Sequence, residues 1–100
     1  MADISGLLSM CRKAGRLVLG MDEVKGSCLR HEARCVLTAR DFSDNSLKEI
    51  ERVCVRSKIP MINLPDTMDD IAAAVGKRCG VMSVTDKGFA EAVAKKLSAK

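Results

Sequence analysis

The sequence predicts an α/β protein, a three-layer α/β/α sandwich around one small four-stranded sheet. Segments with helical spacing of apolar residues alternate with short apolar runs, in the order α-β-α-β-α-β-α-β-α. That alternation implies helices on both faces of a sheet. The composition supplies the core without aromatic bulk. Hydrophobic residues make up 47% of the chain, yet Phe42 and Phe89 are the only aromatics, so Val, Leu, Ile, Met, Cys and Ala must fill the interior. One hundred residues form a single domain, 1–100, with no linker, low-complexity run or internal repeat to divide it.

Each element follows from its own residues. Asp3 suits the cap of a first helix, in which Ile4, Leu7, Leu8 and Cys11 share one face. Arg12, Lys13 and Arg16 gather at its end, where cations suit the helix dipole, and Gly15 stops it. Leu17–Leu19 is a short, weak strand. Gly20 then precedes a second helix with Met21, Val24 and Cys28 on one face. Residues 34–39, "RCVLTA", read as a buried strand. A third helix starts at Ser43, Asp44 or Ser46; Ser46 and Glu49 have capping-box spacing, and Leu47, Ile50, Val53 and Cys54 form the inner face. Lys58 to Pro60 end that helix and open the strand "MINL". Pro65 and Asp66 begin a fourth helix, with Met68, Ile71, Ala72 and Val75 inward, and Gly76 ends it. "VMSV" follows the loop "GKRCG" as a strong strand. Thr85 and Asp86 cap a last helix striped by Phe89, Val93 and Leu97.

Composition narrows the function classes. Five cysteines with no close pair, and a single histidine at His31, argue against a structural zinc site. Most of the cysteines sit among apolar neighbours and read as buried reduced thiols, which implies a cytosolic protein. No apolar run is long enough to span a membrane, and the first apolar turn precedes the basic residues, the reverse of a secretory leader. The net charge is +4, distributed as +3 over residues 1–40, −3 over 41–74 and +4 over 75–100. If the fold joins the two ends, they make a basic face with an acidic back. Such a face suits a polyanion, or is ordinary solubilising surface.

The sequence offers little to an enzyme. There is no Gly-rich phosphate loop of the Walker or dinucleotide type. His31 lies in a polar helix end, and Asp69 and Asp70 fit the first turn of a helix as dipole compensation. Cys79, between Arg78 and Gly80, is the one cysteine in a cationic loop, where a lowered thiol pKa is conceivable, but it has no identifiable base or orienting group. No cofactor and no metal are expected. Binding has more to draw on. Gly20 permits close backbone approach, and the free N–H groups of the helix it opens suit an oxyanion. Lys13 and Arg16 precede that helix and Lys25 follows one turn on. Asp22 and Glu23, in the first turn, either compensate the dipole or accept hydrogen bonds from a base edge. Guanine, with adjacent N1–H and amino donors, suits a carboxylate, and distorted RNA exposes such edges where regular A-form duplex does not.

The stretches "LLSMCRKAGRLVLGMDEV", "ARCVLTARDFSDNSLKEI", "KIPMINLP" and "GVMSVTDKGFAEAVAKKL" resemble, over nearly the full length, the kink-turn RNA-binding ribosomal-protein family (the L-seven-Ae and L-thirty-e proteins), its small bacterial members above all. The resemblance implies an L-thirty-e-like sandwich with a mixed four-stranded sheet. The family opens its second helix with Gly, a small polar residue, Asn, Glu, an aliphatic residue and, two on, Lys. Here Gly20, Met21, Asp22, Glu23, Val24, Lys25 and Gly26 stand in that order. The resemblance assigns contacts with sheared guanines to Asp22 and Glu23. Asp22 in place of Asn removes an amide donor, and Gly26 stands where the family has its lysine; both departures weaken a standard kink-turn contact. A second RNA element falls on Lys77, Arg78 and Cys79, where family members carry aliphatic residues and this chain has two cations. The resemblance also implies that both elements share one end of the sandwich. The expectation is a monomeric, cytoplasmic, non-enzymatic binder of structured RNA such as a kink-turn or ribosomal RNA, with possible ribosome association. A protein–protein adapter on the same fold is the alternative.

Overall fold

The computed structural model describes residues 4–98. Nine elements alternate as α1 (Ser5–Lys13), β1 (Leu17–Leu19), α2 (Met21–Leu29), β2 (Cys35–Thr38), α3 (Asp44–Ser57), β3 (Met61–Asn63), α4 (Met68–Val75), β4 (Val81–Val84) and α5 (Lys87–Ser98). The strands form one mixed sheet in the order β1-β4-β2-β3. β4 is antiparallel to both β1 and β2, and β2 is parallel to β3. The predicted three-layer sandwich is the observed architecture.

The central strands explain why their segments are so apolar: all four residues of β2 and all four of β4 are buried. Alternation along each strand sorts them into two cores. Cys35, Leu37, Met82 and Val84 face α1, α4 and α5, where they meet Ile4, Leu8, Cys11, Ile71, Val75 and Val93. Val36 and Val81 face α2 and α3, against Val24, Cys28, Ile50 and Cys54. Ser83 also falls on the α2 side. Its hydroxyl lies 2.8 Å from that of Ser27, which donates to the Val24 carbonyl at 2.7 Å, so a buried polar pair is satisfied within the core. All five cysteines are buried and unbridged.

Several boundaries differ from the sequence reading. The Asp3 cap lies outside the described residues; the residue before α1 is Ile4, with no capping side chain. β2 spans Cys35–Thr38 rather than 34–39, and β3 stops at Asn63. At α3 the open choice resolves to Ser43, whose hydroxyl accepts from the Ser46 N–H at 3.3 Å. α4 begins at Met68, not at Pro65 and Asp66. Thr67 caps it through a reciprocal pair: its hydroxyl accepts from the Asp70 N–H at 3.2 Å, and the Asp70 carboxylate accepts from the Thr67 N–H at 3.0 Å. Pro65 and Asp66 remain in the preceding turn, where the Asp66 carbonyl accepts from the Arg40 N–H at 2.8 Å. Asp86 caps α5 as expected, accepting from the Phe89 N–H at 2.9 Å.

Candidate functional site

The candidate site starts where β1 passes into α2. Gly20 has φ 94°, a conformation that side-chain-bearing residues rarely adopt. A Cβ there would meet nothing within 4 Å, so backbone torsion rather than crowding calls for glycine. The Gly20 carbonyl accepts from the Val24 N–H at 2.9 Å and closes the first helical turn. No side chain caps α2, which leaves the N–H groups of Met21, Asp22 and Glu23 without intrahelical acceptors. Asp22 and Glu23 are exposed. Met21 is half-buried and packs on the α2–α3 core.

The second segment is the loop from Gly76 to Gly80. Gly76 ends α4 in the left-handed conformation, with φ 83°. Lys77 and Arg78 are exposed. Arg78 donates from Nε to Asp69 Oδ1 at 2.9 Å, so part of its charge is compensated by α4. Lys77 joins no ion pair among the described residues. Cys79 turns inward and is buried with Leu19 and Val75. Burial pushes its thiol pKa up, against the opposing pull of Lys77 and Arg12. The lowered thiol pKa that a cationic loop allows is therefore not what this loop produces. The backbone is cationic in neighbourhood, but the sulfur points into the core.

Two backbone hydrogen bonds bring these segments together. The Gly20 N–H donates to the Val81 carbonyl at 3.1 Å, and the Ala39 N–H donates to the Gly80 carbonyl at 2.8 Å. The start of α2, the end of β2 and the α4–β4 loop therefore lie along one end of the sheet. The ring of Phe42 lies so close to Gly80 that a Cβ on that residue would sit 2.0 Å from it. Arg40 also lies at this end. Its charge contributes to holding the Asp70 carboxyl below its usual value, after the larger effect of the Thr67 hydrogen bonds.

Other predicted residues lie elsewhere. Lys25 forms an ion pair with Glu49 across α2 and α3, which draws it toward α3 and also occupies the acid that sequence spacing offered to a capping box. Arg16 lies at the far end of β1: its carbonyl accepts from the Thr85 N–H at 3.0 Å and from the Thr85 hydroxyl at 3.3 Å. At about 3.3 Å per strand residue, Arg16 and Gly20 are separated by about 13 Å of backbone. Lys13 ends α1 on the way to that far end. Lys13 and Arg16 thus do not join Lys77 at the start of α2. Arg12, absent from the sequence-based set, is the α1 cation whose charge reaches Cys79. Its signal was present in the spacing, because Arg12 is four residues from Leu8 and so shares the side of α1 that packs on α4.

Among the described residues no group of acidic, cysteine or histidine side chains could hold a metal ion, and no helix is long and apolar enough to cross a membrane. A profile of the ribosomal protein L7Ae/L30e/S12e/Gadd45 family matches residues 2–94. The chain belongs to this family. Two bacterial relatives carry the name RNA-binding protein YlxQ. The Bacillus subtilis (strain 168) protein is 31% identical over 85 residues, covering 84% of each chain. The Enterococcus faecium protein is 26% identical over 85 residues, covering 85% of this chain and 82% of the other. A solved structure of a protein of unknown function from Bacillus halodurans C superposes with a TM-score of 0.90 at 22% identity, covering 99% of this chain and all of the other. The Giardia lamblia 15.5kD RNA binding protein gives a TM-score of 0.76 at 17% identity, over 94% of this chain and 81% of the other. At those identities the two structures show the fold alone.

Proposed function

We infer that this protein is a non-enzymatic RNA-binding protein that docks the start of α2 and the α4–β4 loop onto a distorted, kink-turn-like RNA. The observation that carries this reading is the joining of the two segments at one end of the sheet through the Gly20–Val81 and Ala39–Gly80 hydrogen bonds. The uncapped α2 N–H groups suit a phosphate oxygen. Lys77 adds charge beside them, and Glu23 accepts from the donor edge of guanine while Asp22, lacking an amide, contributes less. The names of the bacterial relatives support RNA as the partner. The protein acts as a cytoplasmic monomer on ribosomal or similarly structured RNA.

Glu23→Ala is expected to erase most of the preference for a kink-turn over plain duplex while leaving salt-dependent binding intact. Unchanged discrimination in an equilibrium binding assay would remove Glu23 from the base-reading role. Replacing Lys77 and Arg78 with Gln is expected to flatten the plot of log affinity against log salt by roughly one to two phosphate contacts, with Arg78 giving the smaller share because Asp69 already engages it. An unchanged slope would exclude the loop. Retention of a protein partner after nuclease treatment would favour the adapter reading instead.

A further inference from the structure

A second feature lies away from the α2 start. Between α5 and the β2–β3 edge of the sheet is a groove of about 350 Å³, at the lower end of the range for small-ligand sites, roughly 300–1,000 Å³. Cys35, Pro60, Ile62, Ala90 and Ala94 line it with apolar surface. Arg34, Lys87 and Glu91 stand on its rim and are exposed. Neither cation joins an ion pair among the described residues. The backbone fixes where they sit. The Arg34 N–H donates to the Val84 carbonyl at 2.7 Å, and the Thr85 N–H donates to the Arg16 carbonyl at 3.0 Å. Arg34 and Arg16 therefore flank the end of β4 on its two sides, with Lys87 at the start of the helix that follows.

The geometry points to a second RNA contact here, a groove that takes one unpaired nucleotide. The base lies on the aliphatic floor, the guanidinium of Arg34 stacks on or beside it, and Arg34 and Lys87 hold the flanking phosphates, with Arg16 continuing the cationic track. Glu91 is an acceptor for an amino or imino donor on the base edge. A planar base for the small apolar floor, donors on its edge for Glu91 and flanking phosphates for the two cations match a nucleotide; the flexible carboxylate side chains of an acidic peptide offer no flat apolar face to that floor. Strand addition by a peptide is also disfavoured. β3 is an edge strand of three residues headed by Pro60, and short, proline-flanked edges resist pairing. Base recognition by a guanidinium plane is an established mode for single-stranded RNA. The inference goes beyond the α2 site and does not depend on it.

The test is a titration of the full chain with a short single-stranded oligoadenylate, followed by amide chemical shifts. Saturable shifts at Cys35, Ile62, Ala90 and Ala94 are expected. Ala94→Trp fills the groove from an exposed position without changing charge, and is expected to weaken this binding at least about fivefold, the lower end of the value of one stacked base. Arg34→Gln with Lys87→Gln is expected to reduce the salt slope by about 1.4, for two single-strand phosphates. Circular dichroism checks that each variant is folded. Saturation that perturbs only the α2-start amides would overturn the proposal, as would wild-type affinity in a folded Ala94→Trp variant. Equal groove shifts from inorganic phosphate alone, or from a glutamate-rich peptide, would also overturn it. Kink-turn discrimination measured on the same samples reports on the α2-start site, so the two readings fail separately.

Discussion

Gly80 shows how one residue holds the candidate site together. It is buried, and the Phe42 ring occupies the space a side chain would need. Because a Cβ would sit 2.0 Å from a ring carbon, Gly80→Ala forces Phe42 to move, along with the β2–α3 loop that carries it. Overpacking of this kind costs about 1–3 kcal/mol. Chemical denaturation is expected to show that loss, and Phe42→Leu in the same chain is expected to recover part of it; additive losses in the double variant would show that the ring is not the obstacle. Gly26 contrasts with this. A Cβ there would approach only the Arg30 guanidinium, at 2.8 Å, which is the movable end of a flexible side chain. The lack of a side chain at Gly26 is therefore not imposed by a rigid neighbour. Cys79 teaches a different lesson. Its flanking charges were legible, but its burial was not, because a loop sequence does not state which side chain closes the core.

Among the elements, α4 is closely tied to the site, since the loop that follows it carries Lys77 and Arg78. Its start is stitched twice: by the Thr67–Asp70 capping box and by Asp41, whose carboxylate accepts from the Met68 N–H at 2.8 Å. The Asp70 carboxyl is held below its usual value of 3.8, first by the hydrogen bonds from Thr67 and then by Arg40. A depressed carboxyl stabilises the fold above its unfolded value and loses that effect as pH falls through the lower folded value. Asp70→Asn is accordingly expected to lower the melting temperature at neutral pH, with the gap to wild type closing as pH drops below 3.8. A pH-independent gap would mean that charge on Asp70 is irrelevant to the cap. The sequence carried this helix, its apolar face and its glycine stop. It misplaced the start because Pro65 and Asp66 are also good helix openers, and the choice rests on where the Arg40 N–H and the Asp41 carboxylate lie in space.

Across the fold as a whole, burial of the cysteines sets an alkaline limit on stability. Burial pushes Cys11 and Cys35 up to about 11 and Cys54 up to about 12, from an ordinary value of 9.0. Contacts with other thiols and with acids add smaller upward pushes, from Asp86 on Cys11, Cys11 on Cys35, and Cys28, Cys35 and Glu51 on Cys54. The unfolded chain releases these protons near pH 9 and the folded chain does not. Their contribution is therefore complete below pH 9.0 and is lost as pH rises toward 11–12. Denaturation curves are expected to show stability falling steeply through that interval, less steeply in Cys54→Ala when each is compared with its own neutral-pH value. A flat alkaline profile would contradict the burial of ionisable thiols. Charge is organised on the same dimension. The basic segments 1–40 and 75–100 contribute to both ends of the sheet: Lys77 and Arg40 at the α2 start, Arg16, Arg34 and Lys87 at the other.

The pairing of the α2 start with the α4–β4 loop as a candidate site came from the family resemblance, while composition and spacing sufficed for the class of fold, the number and order of elements and the aliphatic core. These are consequences of local periodicity and of helix and turn chemistry, which act within a few residues. Which cations accompany that site depends on strand direction and register. The antiparallel pairing of β1 with β4 sends Arg16 to Thr85 and Gly20 to Val81, and the parallel packing of α2 beside α3 commits Lys25 to Glu49. Long-range pairing of this kind is not written in any one segment, because each partner lies tens of residues away and only the closed sheet brings the two together.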